Sequence, residues 1–179
     1  MKKKRWLQIG VLVLLLVQMV LPVRAYDFFS GRVYYPARAV TNHPRILMVG
    51  NSLTYTNNIP GLVQAMCVSS GIDATVESVT VGGHSLTQYM FPSNDWEKSI
   101  HQRLMSKLQN EKWDYVILQG MREEPLWKET TMRQAIGTLY PLIQNSGAQM
   151  VLYMTWAADF RTAGYDMDQV QAKVSDVYC

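Results

Sequence analysis

Cysteine is scarce in this sequence. The chain has only Cys67 and Cys179, and they form no Cys-x-x-Cys motif or Cys/His cluster that could bind a metal. The two cysteines could pair in an exported protein. However, Cys67 falls on the apolar face of a predicted helix, which favours a buried free thiol. The sequence therefore predicts neither a metal nor an organic cofactor.

An excess of basic residues is also absent once the first 25 residues are set aside. Those residues hold five Lys+Arg and no acidic residue, so the rest of the chain has 12 Lys+Arg against 14 Asp+Glu. The remaining chain is slightly acidic although the whole sequence carries +3. No basic stripe remains that would indicate a nucleic-acid partner.

Residues 1–25 have the pattern of a signal peptide. Lys2, Lys3, Lys4 and Arg5 precede an apolar run over residues 6–21, and a small-residue cleavage pattern ends at Ala25. The run is short for a membrane span, which needs about 20 residues. We predict cleavage near Ala25 and export to the periplasm, the cell surface or the medium; an uncleaved anchor is the alternative. No cysteine stands directly after the run, at the place where a lipoprotein would carry its lipid-modified cysteine, which argues against a lipoprotein.

The rest of the chain divides into an arm and a domain. Residues 26–44 are predicted to form an irregular N-terminal arm, because Gly31, Pro36 and Pro44 break any regular period. Residues 45–179 are predicted to form one α/β domain, which is long enough to bury a core.

Within that domain, four apolar strands alternate with helices. The predicted strands are 46–49, 74–80, 115–118 and 150–154. The predicted helices are 59–70, a helix opened by Asn94, 131–146, and a helix opened by Asp166. Pro141 is expected to bend or split the third of these helices. This order is typical of a parallel, doubly wound sheet with helices on both faces. The sequence ends in the last helix, without a strand to complete the alternation.

Three of these strands end in turns of small or polar residues. The turns are Gly50-Asn51-Ser52, Gly82-Gly83-His84 and Gln119-Gly120. The carboxyl ends of parallel strands lie side by side, where α/β sheets bind ligands. A hydroxyl with nearby N–H donors suits acyl transfer. Ser52 is therefore a candidate nucleophile; the alternative is a serine that only caps a helix or turn.

The same segments resemble the SGNH (GDSL-type) hydrolases. Residues 46–54, Ile-Leu-Met-Val-Gly-Asn-Ser-Leu-Thr, are similar to the first sequence block of that family, and residues 81–86 are similar to the second. Residues 113–119 are similar to the strand before the third block, and residues 153–157 are similar to a strand end of one bacterial subgroup. The resemblance covers about residues 45–178. It implies a three-layer flavodoxin-like sandwich and an esterase or lipase for acyl esters, often acetyl groups on carbohydrate. It also implies Ser52 as the nucleophile and the Gly83 N–H as an oxyanion donor.

Two positions depart from the family pattern. The third block supplies an Asn from a Gly-x-Asn-Asp turn, whereas this chain has Gln119-Gly120-Met121, so Gln119 is the candidate replacement donor. The catalytic base of the family is the His of an Asp-x-x-His motif. The nearest match in this chain is Asp176-Val177-Tyr178-Cys179, which has cysteine in place of the histidine. We expect a chain that stops before the last strand and the catalytic loop and that is inactive without them. The alternative is a non-catalytic carbohydrate- or surface-binding domain on the same fold.

Other polar and aromatic residues have ordinary interpretations. His84 is the only histidine in a strand-end loop and could serve as a base, although an exposed or substrate-facing position is favoured. Two loop charges after the fourth strand could line the cleft but are more often ordinary loop charges, and the two adjacent glutamates could form an acid pair, although a solvated loop is favoured. For the other two histidines we expect surface positions, and two tryptophans are either sugar-stacking faces or packing residues. These candidates are His43, His101, Arg122, Glu123, Glu124, Asp159, Arg161, Trp127 and Trp156. The expected partner is a small-molecule or carbohydrate ester; the acyl group, the alcohol and the oligomeric state stay open.

Overall fold

The computed structural model describes residues 25–26, 33–34, 41–156, 159 and 164–178. The predicted signal peptide up to its last residue, most of the predicted arm, Arg161 and Cys179 lie outside the described residues. The chain divides into two compact units, residues 1–40 and residues 41–179. In the first unit, the two-residue strands β1 (Ala25–Tyr26) and β2 (Val33–Tyr34) pair antiparallel, within the segment that was predicted to be irregular.

The second unit is built on a four-stranded parallel sheet. Its strands are β3 (Arg45–Gly50), β4 (Thr75–Thr80), β5 (Tyr115–Leu118) and β6 (Gln149–Leu152), in the order β4–β3–β5–β6. Strand β3 has a neighbouring strand on both sides, and its residues 46–50 are buried, which fits the continuous apolar run in the sequence. The predicted α/β class is confirmed, and the four predicted strands match the observed ones closely.

Helices flank this sheet. They are α1 (Ser52–Tyr55), α2 (Ile59–Ser69), α3 (Leu86–Met90), α4 (Asp95–Asn110), α5 (Glu124–Trp127), α6 (Glu129–Asn145) and α7 (Met167–Tyr178), with a 3₁₀ turn, Thr56–Asn58, between α1 and α2. The four long helices were predicted. Helices α1, α3 and α5 were not, because four or five residues are too few to show a helical period. None of the described helices is long and apolar enough to cross a membrane.

Two of the long helices, α4 and α7, begin at the capping residues that the sequence indicated. The Asn94 side chain accepts a hydrogen bond from the Glu97 N–H at 2.9 Å, at the start of α4. At α7, Asp166 and Gln169 accept from each other's backbone N–H at 2.7 and 3.2 Å, which is a reciprocal capping box. Pro141 was predicted to bend or split α6; the helix continues through Pro141 as one element, so it is not split there.

The main core lies on one face of the sheet, beneath α4, α6 and α7. Leu47 and Val49 of β3 face the same side as Val116 and Leu118 of β5, and all four side chains are fully buried. The helices contribute residues spaced by three or four positions, namely Ile100, Leu104 and Leu108 from α4, Met132, Ala135, Leu139 and Ile143 from α6, and Val170, Val174 and Val177 from α7. Trp96, four residues before Ile100 on the same helix, is 57% exposed.

Helix α2 differs from its prediction. None of its residues is buried, and Leu62 and Met66 are among the exposed apolar side chains. Cys67 is free but only partly buried. The free state of this thiol was predicted correctly, whereas its burial was not, because the described residues do not cover the face of α2 that the periodicity marked as apolar.

Candidate active site

Ser52 lies where β3 ends, as the first residue of α1. The helix cap is the preceding residue, Asn51, whose side-chain oxygen accepts from the Leu53 N–H at 3.0 Å. Ser52 is partly buried and lines a cavity of about 160 Å³ together with Gly83 from the second strand-end turn. The structure therefore brings together the two residues that the first two sequence blocks singled out.

Gln119 lies beneath the Ser52 turn and does not line this cavity. Its side chain is fully buried, and its Oε1 accepts from the Asn51 N–H at 2.9 Å and from the Thr54 hydroxyl at 2.8 Å. Its Nε2 donates to the Gly120 carbonyl. Because both ends of the amide are occupied, Gln119 positions the turn. The sequence had suggested Gln119 as an oxyanion donor, which would have to face the cavity; its side chain instead lies under the turn.

The absence of a side chain at Gly50 permits this packing. A Cβ placed there would lie 2.3 Å from the Thr54 Oγ1 and 2.6 Å from the Gln119 Oε1, far inside normal contact distances. The Gly50 carbonyl also accepts from the buried Tyr89 hydroxyl at 2.8 Å. Burial raises the pKa of Tyr89 well above its usual value, so this hydroxyl stays a donor. The end of β3 is thus held from two sides.

The second turn depends on Gly83 for its backbone conformation. Gly83 has φ = +66°, in the left-handed region that favours glycine, and a Cβ placed there would meet no atom within 4 Å. The next residue, His84, accepts a hydrogen bond at its carbonyl from the Asn51 Nδ2 at 3.1 Å. This bond ties the second turn to the turn that carries Ser52.

The His84 side chain does not line the cavity at Ser52. It is 1% exposed and makes edge contacts with the rings of Tyr89 and Trp96, at centroid distances of 4.6 and 5.5 Å. Burial lowers the pKa of His84, and the charges of Glu97 and Glu124 oppose that effect. The prediction of an exposed or substrate-facing histidine is wrong, because the ring fills space between α3 and α4.

The other two histidines also lie away from the cavity. His101 is partly buried and its Nδ1 lies 2.8 Å from the Tyr89 carbonyl, so it is less solvated than predicted. His43 is exposed, as predicted, with its Nδ1 3.0 Å from the Asp73 carboxylate. In the part of the chain that the structure describes, no group of three or more His, Cys, Asp or Glu side chains is placed to hold a metal ion.

Glu124 is a buried carboxylate that organises the third strand-end turn. It is 2% exposed, and its oxygens accept from the Leu86 and Thr87 N–H groups, both at 3.1 Å, and from the Met121 N–H at 2.9 Å. The Thr87 hydroxyl donates a fourth bond at 2.8 Å. The prediction of a solvated loop is therefore wrong for Glu124. Its neighbour Glu123 is partly buried and lines the Ser52 cavity.

Tyr178 of α7 completes this turn. Its hydroxyl oxygen accepts from the Gly120 N–H at 2.9 Å. Burial raises the pKa of Tyr178 to about 12. A Cβ at Gly120 would lie 2.9 Å from this oxygen and 2.8 Å from the Met132 side chain, so a larger residue would have to displace these side chains. The helix that ends the sequence thus contributes directly to the region behind the cavity.

Besides Ser52 and Gly83, the cavity is lined by five residues: Asn51, Leu53, Met121, Arg122 and Glu123. Arg122 and Glu123 form no ion pair with each other or with another described residue. The sequence contained one sign that Arg122 and Glu123 would lie near the site: they closely follow the strand-end turn Gln119-Gly120. Of the remaining candidates, Asp159 is exposed, and Trp127 and Trp156 are 54% and 61% exposed, so neither tryptophan is a core residue.

Comparison with solved structures identifies the fold. A protein from Slackia heliotrinireducens whose description assigns it to the SGNH hydrolases superposes with a TM-score of 0.64 at 28% identity, over 76% of this chain and 72% of that one. This chain has the SGNH hydrolase fold. The SGNH resemblance predicted from the sequence blocks is thereby confirmed.

Two further SGNH-fold matches support the fold alone, because their sequence identity is low. TesA superposes with a TM-score of 0.56 at 18% identity, over 75% of this chain and 70% of that one. The esterase EstA from Pseudoalteromonas sp. gives 0.54 at 13% identity, over 75% and 71%. No protein-family model and no curated protein matches the chain.

Proposed function

We propose that this SGNH-fold chain is a serine esterase in which Ser52 attacks the ester carbonyl. The observation that carries the proposal is the cavity shared by Ser52 and Gly83 at the carboxyl edge of the sheet. In this reaction the backbone N–H groups of Ser52 and Gly83 hold the developing oxyanion, a type of contact that typically contributes about 2.7–4 kcal/mol per donor. Gln119 and Asn51 hold the turn that carries these groups.

The size of the cavity favours a small acyl group. Its volume is about 160 Å³, only several times the share of one water molecule in the liquid, about 30 Å³. An acetyl or short-chain ester fits this space together with the attacking oxygen. We therefore propose acetyl or short-chain acyl esters as the substrates.

A histidine base is the part of the mechanism that the described residues do not place at the cavity. None of the three histidines lines the cavity, and the 179 residues contain no Asp-x-x-His. Serine is a weak nucleophile without an adjacent base. In one serine hydrolase, loss of the histidine alone lowers turnover by about 10⁶. We propose that the 179-residue chain hydrolyses esters very slowly, and that added imidazole, as a free base, accelerates it.

The test measures acetyl transfer from p-nitrophenyl acetate to the protein. The wild-type chain, Ser52→Ala and the control Ser99→Ala, which alters an exposed serine on α4, are incubated with the ester, with and without imidazole. Peptide mass spectrometry then locates the acetyl group. We expect imidazole-dependent acetylation of the Ser52 peptide in the wild type and in Ser99→Ala only. Equal p-nitrophenol release by wild type and Ser52→Ala, with no acetyl on Ser52, would contradict the proposal.

The absence of a histidine from the cavity also supports a second candidate, a non-catalytic binding domain that keeps the fold. In that case the cavity binds its ligand but transfers no acyl group. Ligand binding that survives Ser52→Ala, combined with no acetylation of Ser52 at any imidazole concentration, would favour this candidate.

We also propose that the protein is exported, on the evidence of the sequence of residues 1–25 alone. Expression in a bacterial host followed by N-terminal sequencing of the periplasmic fraction tests this proposal. We expect the mature chain to start at Tyr26. An intact N-terminus in the membrane fraction would favour the uncleaved anchor instead.

A further inference from the structure

His84 takes part in the Ser52 site through its backbone, whereas its side chain lies outside the cavity. Gly83, the residue before it, lines the cavity and has φ = +66°. The His84 carbonyl accepts from the Asn51 Nδ2 at 3.1 Å, which ties the second turn to the turn that carries Ser52. A displacement of His84 would therefore also move the backbone of Gly83.

The His84 ring is packed against side chains that support the ends of the strands. It is 1% exposed and makes edge contacts with the rings of Tyr89 and Trp96. The Tyr89 hydroxyl lies 2.8 Å from the Gly50 carbonyl oxygen and 2.9 Å from the Val79 carbonyl oxygen, at the ends of β3 and β4. Because interiors are close-packed, the His84 ring cannot turn without disturbing Tyr89 or its own backbone.

One nitrogen of this ring is buried without a partner. The Nε2 atom forms no hydrogen bond with any residue that the structure describes. A neutral imidazole can carry such a nitrogen as an unprotonated acceptor, whereas a protonated imidazole has an N–H donor on both nitrogens. Protonation would therefore place an unpaired donor and a positive charge in a buried position, and both are unfavourable there.

Two carboxylates act on the ring electrostatically, Glu97 of α4 and Glu124 of α5, and both favour the protonated form. Each is already occupied by other donors. Glu97 accepts from the Ser93 N–H, the Ser93 hydroxyl and the Gln88 amide at 2.6, 2.8 and 2.8 Å, and Glu124 accepts its four bonds from α3 and the third turn. Burial outweighs the attraction of both charges and lowers the pKa of His84. The neutral ring is therefore the form that fits this position.

Two other ionisable groups of α4 act on Tyr89. The His101 Nδ1 lies 2.8 Å from the Tyr89 carbonyl oxygen, and the charge of Arg103 acts on the Tyr89 hydroxyl. Arginine stays charged over the whole pH range in which proteins are folded. His101 is a second histidine packed against α3, so its contribution has to be separated from that of His84 by substitution.

We infer that His84 is a positioning residue for the oxyanion donor: its neutral ring holds the Gly83 N–H beside Ser52, and its protonation displaces the turn and stops acyl transfer. This inference rests on the proposed esterase function, which assigns the Gly83 N–H to the oxyanion. The proton comes from the solvent and adds to the ring, and no other bond forms or breaks except hydrogen bonds. A charged ring that turns toward water takes the Gly83 backbone with it.

The first test measures the coupling of the ring to the turn and needs no turnover. An NMR titration of the isotope-labelled chain follows the His84 ring and the Gly83 N–H from about pH 8 to about pH 4. We expect both signals to shift with one midpoint, below about pH 6.5. The Gly83 shift should be absent from His84→Phe and present in the matched control His101→Phe. The N–H of Gly147, in a left-handed turn before β6, should not follow the His84 ring.

The second test measures acetylation of Ser52 by p-nitrophenyl acetate and imidazole over the same pH range. Because imidazole titrates equally in every reaction, the ratio of the wild-type rate to the His84→Phe rate isolates the effect of His84. We expect this ratio to be constant above the NMR midpoint and to fall by about tenfold per pH unit below it, as for a single proton. The ratio of His101→Phe to His84→Phe should behave in the same way.

Several results would overturn the inference. These are a ring that stays neutral throughout the titration, a ring that titrates while the Gly83 signal does not move, a Gly83 shift that persists in His84→Phe, or a rate ratio that does not change with pH. Loss of all native signals at the His84 midpoint would also overturn it, because protonation would then unfold the protein instead of moving the turn. The wild-type titration alone tests the coupling if His84→Phe does not fold. If Ser52 is never acetylated but Gly83 still follows His84, the esterase proposal fails and the coupling stands.

Discussion

The Asn51 side chain joins two strand-end turns that are 33 residues apart in the sequence, through the hydrogen bond from its Nδ2 to the His84 carbonyl at 3.1 Å. The other atom of the same amide, Oδ1, caps α1. One side chain therefore sets both the helix that begins at Ser52 and the position of the turn that contains Gly83.

Two substitutions of Asn51 distinguish the contribution of the α1 cap from that of the hydrogen bond to His84. Asn51→Ala removes the cap, which is worth about 0.5–2 kcal/mol, and leaves the buried His84 carbonyl unpaired, which costs about 1–3 kcal/mol. Asn51→Ser keeps a capping oxygen but cannot reach His84, so we expect a smaller loss of unfolding free energy. Urea denaturation of both variants measures the two losses. Wild-type stability in Asn51→Ser would show that the bond to His84 contributes nothing.

The buried carboxylate of Glu124 should be a major contributor to stability. Glu124→Ala leaves three backbone N–H groups and the Thr87 hydroxyl without their acceptor. Because each unpaired buried donor costs about 1–3 kcal/mol, we expect a loss of at least about 3 kcal/mol by chemical denaturation. The adjacent Glu123→Ala is the control and should stay within about 0.5 kcal/mol of wild type. Similar losses in both variants would contradict this account.

Two glycine-to-alanine substitutions should change stability in opposite directions. In Gly50→Ala the new methyl group would overlap the Thr54 and Gln119 side chains, and we expect a loss of about 1–3 kcal/mol or more. In Gly137→Ala, on the exposed side of α6, the methyl group meets nothing within 4 Å, and the variant should gain about 0.5–1 kcal/mol. Thermal unfolding measures both, and an unchanged melting temperature for Gly50→Ala would refute the packing at the end of β3.

His84 should make the folded state sensitive to acid. Its pKa is lowered by burial in the folded protein, so the unfolded chain, with an ordinary value of about 6.5, binds the proton more readily. The stability is therefore complete above about pH 6.5 and falls as the pH drops below that value toward the folded pKa. Glu97, which faces His84, has its pKa lowered to about 2 by the Ser93 N–H, the Gln88 amide and the Ser93 hydroxyl, so it stays ionised throughout this range.

The measurement is urea denaturation at about pH 7.5 and about pH 5. His84→Phe, which keeps an aromatic ring between Tyr89 and Trp96, should lose less stability on acidification than the wild type. His43→Ala, which removes an exposed histidine remote from Tyr89 and Trp96, is measured alongside as the control for the loss of a histidine. If His84→Phe shows the same pH dependence as the wild type, another group is responsible.

The elements of the fold were predictable because their signals are local. The spacing of Ile100, Leu104 and Leu108 predicts the buried face of α4, and Asn94 predicts its start. The short helix α5 was missed because its four residues are too few to show a helical period. The exposure of α2 was missed because periodicity marks an apolar face without showing what covers it.

The sequence by itself determined the order of strands and long helices, the caps of α4 and α7 and the place of Ser52 at the end of β3. Only the tertiary structure decided what the buried polar groups do: Gln119 supports the turn from below, His84 packs between aromatic rings, and Glu124 accepts four hydrogen bonds. The reason is physical. Periods and caps act over a few residues, whereas the partners of a buried polar group come from distant segments, such as Asn51 and Gln119, which are 68 positions apart.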